Sequence, residues 1–264
     1  MDRARLAMFV LGFALALLGI PGASAAPLGT AFFGYGATAN ASGGYDYIRF
    51  PPIVTLAPLD ANLMGGTFLA GDYSTEYAID ENGSFVAVDT TTGETSQIGF
   101  VGFTVGSLAS IAAEPTTGII YGIITDANLQ VTSFFSIDAF TGQATLIGPM
   151  IEYIQSIAFD SSGIFYELDR GVGAIVVGPL GGPQTVLGPL GVELNDTSTI
   201  AIQPGSDVLF LIQFEASAGT NEIYVVDTST GSATLVGALG GDAPISAIAL
   251  APPLPETIFG DGFD

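Results

Sequence analysis

Short stretches of alternating apolar and polar residues, punctuated by glycine, run along most of the chain. "FFSIDAFTGQATLIG" (134–148) reads as strand, turn, strand. Nearly the same phrase recurs as "FVAVDTTTGETSQIG" from Phe85 and "IYVVDTSTGSATLVG" from Ile223, with a degraded copy, "AIVVGPLGGPQTVLG", from Ala174. A second anchor is a small, apolar strand: "GGTFLAG" around Phe68, "LASIAAEP" around Ile111, "QSIAFD" around Ile157, "STIAIQP" around Ile200 and "SAIALAP" around Ile248. Those centres lie 43, 46, 43 and 48 residues apart. The glycines that end the longer phrase (Gly99, Gly148, Gly188, Gly237) are 49, 40 and 49 apart. Periods of about 40 to 50 residues mark propeller-type or solenoid arrays. Glycine and β-branched residues dominate and no 3.6-residue stripe persists, which excludes helical repeats.

Each period carries four strand signals, clearest over Ser110–Ala113, Ile119–Ile123, Phe134–Asp138 and Ala144–Ile147. The turns between them have mechanisms. "EPTTGI" puts Pro115 where φ near −65° is wanted and Gly118 where φ can be positive. In "DAFTGQ", Asp138 stands four residues before Gly142, a spacing repeated as Asp89/Gly93 and Asp227/Gly231. Such an Asp can cap the loop by accepting backbone N–H bonds. In the degraded copy Gly178 and Gly182 take the corresponding places. The phrase is thus the outer hairpin of a four-stranded sheet that is stable only when stacked against its neighbours.

The two ends of the chain count the sheets. Complete units begin near Phe68, Ile111, Ile157 and Ile200. "SAIALAP" is a fifth inner strand with only a Pro-rich tail after it, while the N-terminal region offers "TAFFGYGA", "YDYIRF" and "IVTLAP" without an inner partner. Joining them predicts an all-β, five-bladed β-propeller over residues 26–251, its closing blade shared between the termini. Closure also removes the exposed edges that invite aggregation. The competing architecture is an open sandwich or a β-solenoid.

The phrases "IAAEPTTGIIYGI" and "FFSIDAFTGQATLIG" resemble those of secreted bacterial propellers of the lactonase and surface-layer kind. They are similar in particular to a family of repeat proteins of unknown function that reuse "P-x-T-G…Y-G…I-D-x-x-T-G-x-x-T-x-I-G". The resemblance covers most of Phe68 to Ala251. It implies a propeller fold and no particular activity, because the matching positions are turn and core residues.

Ahead of the repeats, Arg3 and Arg5 precede an apolar run from Leu6 to Ile20 and an Ala23-Ser24-Ala25 site. That is the grammar of a secretory leader over residues 1–25, and the run is too short for a span of roughly 20 residues. No second candidate span follows. Export to the periplasm, the cell surface or the medium is the expectation. Residues 252–264 form a Pro-rich linker and tail. Their "IFGDGFD" ending resembles the "I-F-x-D-G-F-[DE]" terminus of exported Gram-negative proteins, which implies a sorting or processing tag.

Charge sharpens the functional picture. The chain holds 26 acidic groups against four basic ones, for a net charge of −22, yet charged residues are only 11% of it. Beyond the leader, Arg49 and Arg170 are the only cations. Such a surface repels phosphate backbones and anionic lipid, so nucleic-acid and membrane-surface roles are disfavoured. There is no His, Cys or Lys. That excludes a Ser-His-Asp relay, His or Cys metal sites, thiol chemistry, disulfides and Schiff bases. Carboxylates, hydroxyls and oxygen-ligated metals remain.

Three groups of candidates follow. Glu114 and Asp160, at matching ends of successive inner strands, come nearest to a glycosidase pair, which needs carboxylates roughly 5 to 9 Å apart. Turn capping is the plainer reading. Asp80, Glu81 and Asn82 in "AIDENGSF" are the densest oxygen cluster, but lack the alternating spacing of an EF-hand, and a polar turn is again plainer. The repeated Asp89, Asp138 and Asp227 are further ion candidates that already have capping roles. Phe32, Phe33, Tyr35, Tyr45 and Tyr47 crowd the N-terminal strands, either as a sugar or peptide platform or, more simply, as packing between blades. Arg49 and Arg170 are expected to pair with carboxylates. No catalytic, cofactor or metal residue is therefore assigned, and no cofactor. The reading is an exported, monomeric, non-catalytic module whose protein or carbohydrate partner is unidentified. Its rivals are a carboxylate-based hydrolase of a carbohydrate or lactone, and a calcium-stabilised structural protein.

Overall fold

The structure, a computed structural model, describes residues 32–69, 71–102, 108–126, 131–150 and 153–252. The expected leader and the tail beyond Pro252 lie outside them. Twenty strands form five four-stranded antiparallel sheets. In chain order, β1 (Gly34–Ala39), β2 (Tyr45–Phe50) and β3 (Val54–Leu59) are followed by blade I: β4 (Leu63–Leu69), β5 (Asp72–Asp80), β6 (Ser84–Asp89) and β7 (Thr95–Phe100). Blade II is β8 (Leu108–Ala113), β9 (Ile120–Asp126), β10 (Val131–Ile137) and β11 (Ala144–Met150). Blade III is β12 (Ile154–Phe159), β13 (Ile164–Asp169), β14 (Ala174–Pro179) and β15 (Thr185–Pro189). Blade IV is β16 (Thr199–Gln203), β17 (Val208–Glu215), β18 (Thr220–Val226) and β19 (Ala233–Gly240). The last strand, β20 (Ile245–Leu250), pairs with β1 and completes blade V in the order β20-β1-β2-β3. The inner strands β4, β8, β12, β16 and β20 pack side by side around a closed circuit. This is the five-bladed propeller with a shared closing blade that the repeat predicts.

Burial follows from this arrangement. All six residues of β12 are buried, whereas the outer β7 leaves most of its residues exposed. Inner strands do not pair with one another, so part of their backbone needs other partners. Side-chain hydroxyls supply them. Thr67 accepts from the amide of Ala113 (2.9 Å), Ser110 from Ile157 (3.2 Å) and Ser156 from Ile200 (3.1 Å). Each bond joins one blade to the next.

The N-terminal aromatics pack between blades. Phe32 lies 5.5 Å from Phe50 and 4.9 Å from Phe210 of blade IV, while Tyr35 stacks near Tyr47 and edges onto Phe68 of blade I. At the rim, the phrase-ending Gly99 touches the turn of blade II. A Cβ on Gly99 would sit 1.9 Å from the carbonyl oxygen of Thr141. Gly188 meets Thr230 of blade IV in the same way, at 2.3 Å. Those glycines serve close approach between blades.

The degraded copy departs from expectation. In blade II, Ser136 pairs with Thr145 and Ile137 with Ala144. In blade III, Val176 pairs with Val186 and Val177 with Thr185, one residue out of step. Gly178 offers no carboxylate to hold the wider loop. A tighter turn forms instead, with Gly182 N donating to Pro179 O at 2.9 Å and Gly181 at φ 71°.

Candidate functional site

The inner strands enclose a cavity of about 260 Å³. Small residues, as at Gly66, Ala109, Ala112, Ala201 and Ala247, line it beside bulkier ones such as Ile157 and Phe159, and Thr67, Ser110 and Thr199 give the wall a polar share. Towards the ends of the inner strands its lining includes Phe68, Tyr73, Pro115, Ser161, Pro204 and Asp207.

The carboxylates nearest this end are engaged in their own turns. Glu114 accepts from the amides of Thr116 (2.9 Å) and Thr117 (2.8 Å) and from both their hydroxyls. Burial pushes its carboxyl up, but the bonds from Thr117 and Thr116 more than offset this and hold it below the usual range. Asp160 accepts from the amides of Ser162 (3.0 Å) and Ile164 (2.9 Å). The two turns abut, since a Cβ on Gly163 would lie 2.6 Å from Glu114 Oε1. The two turns are therefore neighbours; both oxygens of Glu114 are bound, while Asp160 has Oδ1 bound to its turn and Oδ2 3.4 Å from the Tyr166 hydroxyl.

Sequence reasoning passed over Asp207. It stands where Gly118 stands in blade II, and both have positive φ, 53° and 73°. Asp is among the few residues that enter this region readily. Its carboxylate reaches across to blade III, accepting from the amide of Ser161 at 2.9 Å and from its hydroxyl. The signal was "QPGSD" in place of "EPTTG", an acid where the loop calls for glycine.

The other candidates have local roles. Asp80 accepts from the amides of Asn82 and Ser84, both at 2.8 Å, so "DENGS" is a capped turn. Asp89, Asp138 and Asp227 cap their loops with bonds of this kind, Asp227 accepting first from the Ser229 hydroxyl and then from its amide, and these bonds hold their carboxyls below the ordinary value. Among the described residues no three His, Cys, Asp or Glu side chains are grouped to hold a metal ion. Arg170 pairs with Asp196 and lies over the ring of Tyr153, 5.7 Å from its centroid. Among the described residues Arg49 forms no ion pair, contrary to expectation: its cross-strand neighbours, Tyr35 and Val54, offer no carboxylate. Among the described residues no helix is long and apolar enough to cross a membrane.

No protein-family model matches the sequence, and no curated protein matches it. Solved structures do match in fold. The nidogen/laminin complex gives a TM-score of 0.55 at 14% identity, over 83% of this chain and 97% of that one. A gluconolactonase from Xanthomonas campestris gives 0.50 at 14% identity, over 82% and 78%. TolB from Acinetobacter baumannii gives 0.49 at 14% identity, over 78% and 52%. At such identities the likeness concerns the fold alone.

Proposed function

We propose that the chain is exported and works as a non-catalytic interaction module, presenting a rigid propeller to a protein or carbohydrate partner in the periplasm, at the cell surface or beyond it. In this reading residues 1–25 are a leader removed on export, 26–251 are the propeller, and 252–264 are a linker and sorting tag. One observation carries the non-catalytic part. The carboxylates closest to the channel end, Glu114, Asp160 and Asp207, are spent on turn amides and on the neighbouring blade. A hydrolase acid or base needs an oxygen free to meet substrate. The fold itself is neutral on the point, since it serves both a complex-forming protein and a lactonase.

The test is cell fractionation of the full chain, followed by capture from the native envelope fraction with the domain ending at Ala251 or carrying its tail. The expected result is a product lacking residues 1–25 outside the cytoplasm, a location that changes without the tail, and a partner retained by both forms. Uncleaved protein inside the cell would end the export reading. Turnover of lactones or aryl glycosides that is abolished by Glu114→Gln or Asp160→Asn would replace the binding module with the hydrolase.

A further inference from the structure

The seam between blades V and I holds a carboxyl group that no turn uses. Glu76, in the middle of β5, is wholly buried (0% exposed). Phe68 and Val88 flank it on the adjacent strands, and Tyr35, Ala37, Ala78 and Ala247 belong to the surrounding apolar cluster. Its Oε2 accepts a hydrogen bond from the Tyr47 hydroxyl of blade V at 2.7 Å. Among the described residues no donor reaches its Oε1. That oxygen is pressed against Gly66, where a Cβ would lie 2.0 Å from Oε1 and 2.4 Å from the carbonyl oxygen of Ala247. Ala247 belongs to the irregular stretch of β20 and has φ 50°, a left-handed conformation that carries its carbonyl to this point.

Two acceptor oxygens thus approach the same point beside Gly66, where Glu76 is wholly buried. Two acceptors brought close together in a buried place repel, whereas a protonated carboxyl can donate to a neighbouring carbonyl. Among the described residues no cation takes the proton's place. Among the charged and titratable groups around the seam, β2 brings Tyr47 and, two positions on, Arg49, which forms no ion pair among the described residues; β1 brings Tyr35; β6 brings Asp89, another acid. From β4 and β20 come the backbone of Gly66 and the carbonyl of Ala247.

We infer that Glu76 is a proton-binding site that latches the ring: its Oε1 carries a proton and donates it to the Ala247 carbonyl, tying the last strand of the chain to the first complete blade. Burial pushes this carboxyl up to about 8 from an ordinary value of 4.5, the bond from Tyr47 opposing the rise only in part. The sign follows from the raised value. Between pH 4.5 and 8 the folded protein holds a proton that the unfolded chain has released. The latch is therefore fully effective below pH 4.5, and its contribution falls as pH rises towards 8. The capping Asp residues, with lowered values, act in the opposite sense at acid pH and are common to all the variants below.

Glu76→Gln tests this, because the amide can donate to Ala247 and accept from Tyr47 at any pH. Urea unfolding of wild type and variant between pH 5 and pH 8 should diverge. The ratio of their unfolding constants should change up to about tenfold per pH unit across the window, in favour of the variant at high pH. Parallel profiles would overturn the proposal. Infrared difference spectra of the wild type at pH 6 and pH 9 give an answer even if the variant does not fold. The carbonyl band of one buried carboxylic acid should be present at pH 6 and lost at pH 9; absence of such a band at pH 6 would also overturn it.

Discussion

Gly99 and Gly148 end the same phrase in successive blades, yet they meet different surroundings. Gly99 lies under the outer turn of blade II, where Thr141 O leaves no space for a side chain, and the amide of Ala144 reaches Val101 O across the same junction. Gly148 has no heavy atom of the described residues within 4 Å of its Cβ position, and the outer turn of blade III, which should reach it, has slid by one residue and tightened. The blade III–IV junction is of the first kind: Gly188 and Gly231 touch, and Ala233 N donates to Leu190 O at 2.8 Å. A repeated letter therefore marks the same place in each unit, whereas the neighbouring blade decides whether the letter is needed.

This difference can be broken by substitution. Gly99→Ala should have the largest effect, about 3 kcal/mol of destabilisation, since its Cβ would collide with backbone and force the blades apart; urea unfolding reads it. Gly178→Asp, which restores the repeated acid to the degraded turn, should destabilise rather than help, by about 1–2 kcal/mol. Its Cβ would lie 2.4 Å from Pro183 O in the register that the turn now holds. A gain in stability would mean that blade III can return to the common register. Gly148→Ala should change stability by no more than about 0.5 kcal/mol, and a loss comparable to Gly99→Ala would erase the distinction between the two junctions.

Much of the fold was legible because propeller order rests on spacing and turn chemistry, both local properties. The recurring inner strands and the Asp-to-Gly loops located the blades, and the unmatched strands at the two ends forced closure. The slide in 174–188 was not legible. It depends on what a missing carboxylate at Gly178 allows the loop to become, and on Pro179 and Gly181 offering a tighter turn. Long-range contacts were also hidden. Nothing local to "STEYAID" says that Glu76 meets Tyr47 and Ala247, and Arg49 looked like an ion-pair donor until its apolar neighbours were known. At the candidate site the capping roles of Glu114 and Asp160 could be read from their turns. Asp207 could not, since its partner Ser161 is 46 residues away.

Ring closure by the two chain ends is the claim on which the blade count, the channel and the Glu76 latch all rest. It can be tested by cross-linking in a chain that has no cysteine of its own. Ala37 and Ser246 are directly opposed on β1 and β20. In the Ala37→Cys/Ser246→Cys variant of the folded domain, mild oxidation should form one intramolecular disulfide nearly to completion and raise stability by about 2–5 kcal/mol. Thiols that stay free in the native protein, or pair only between molecules, would contradict the closed ring.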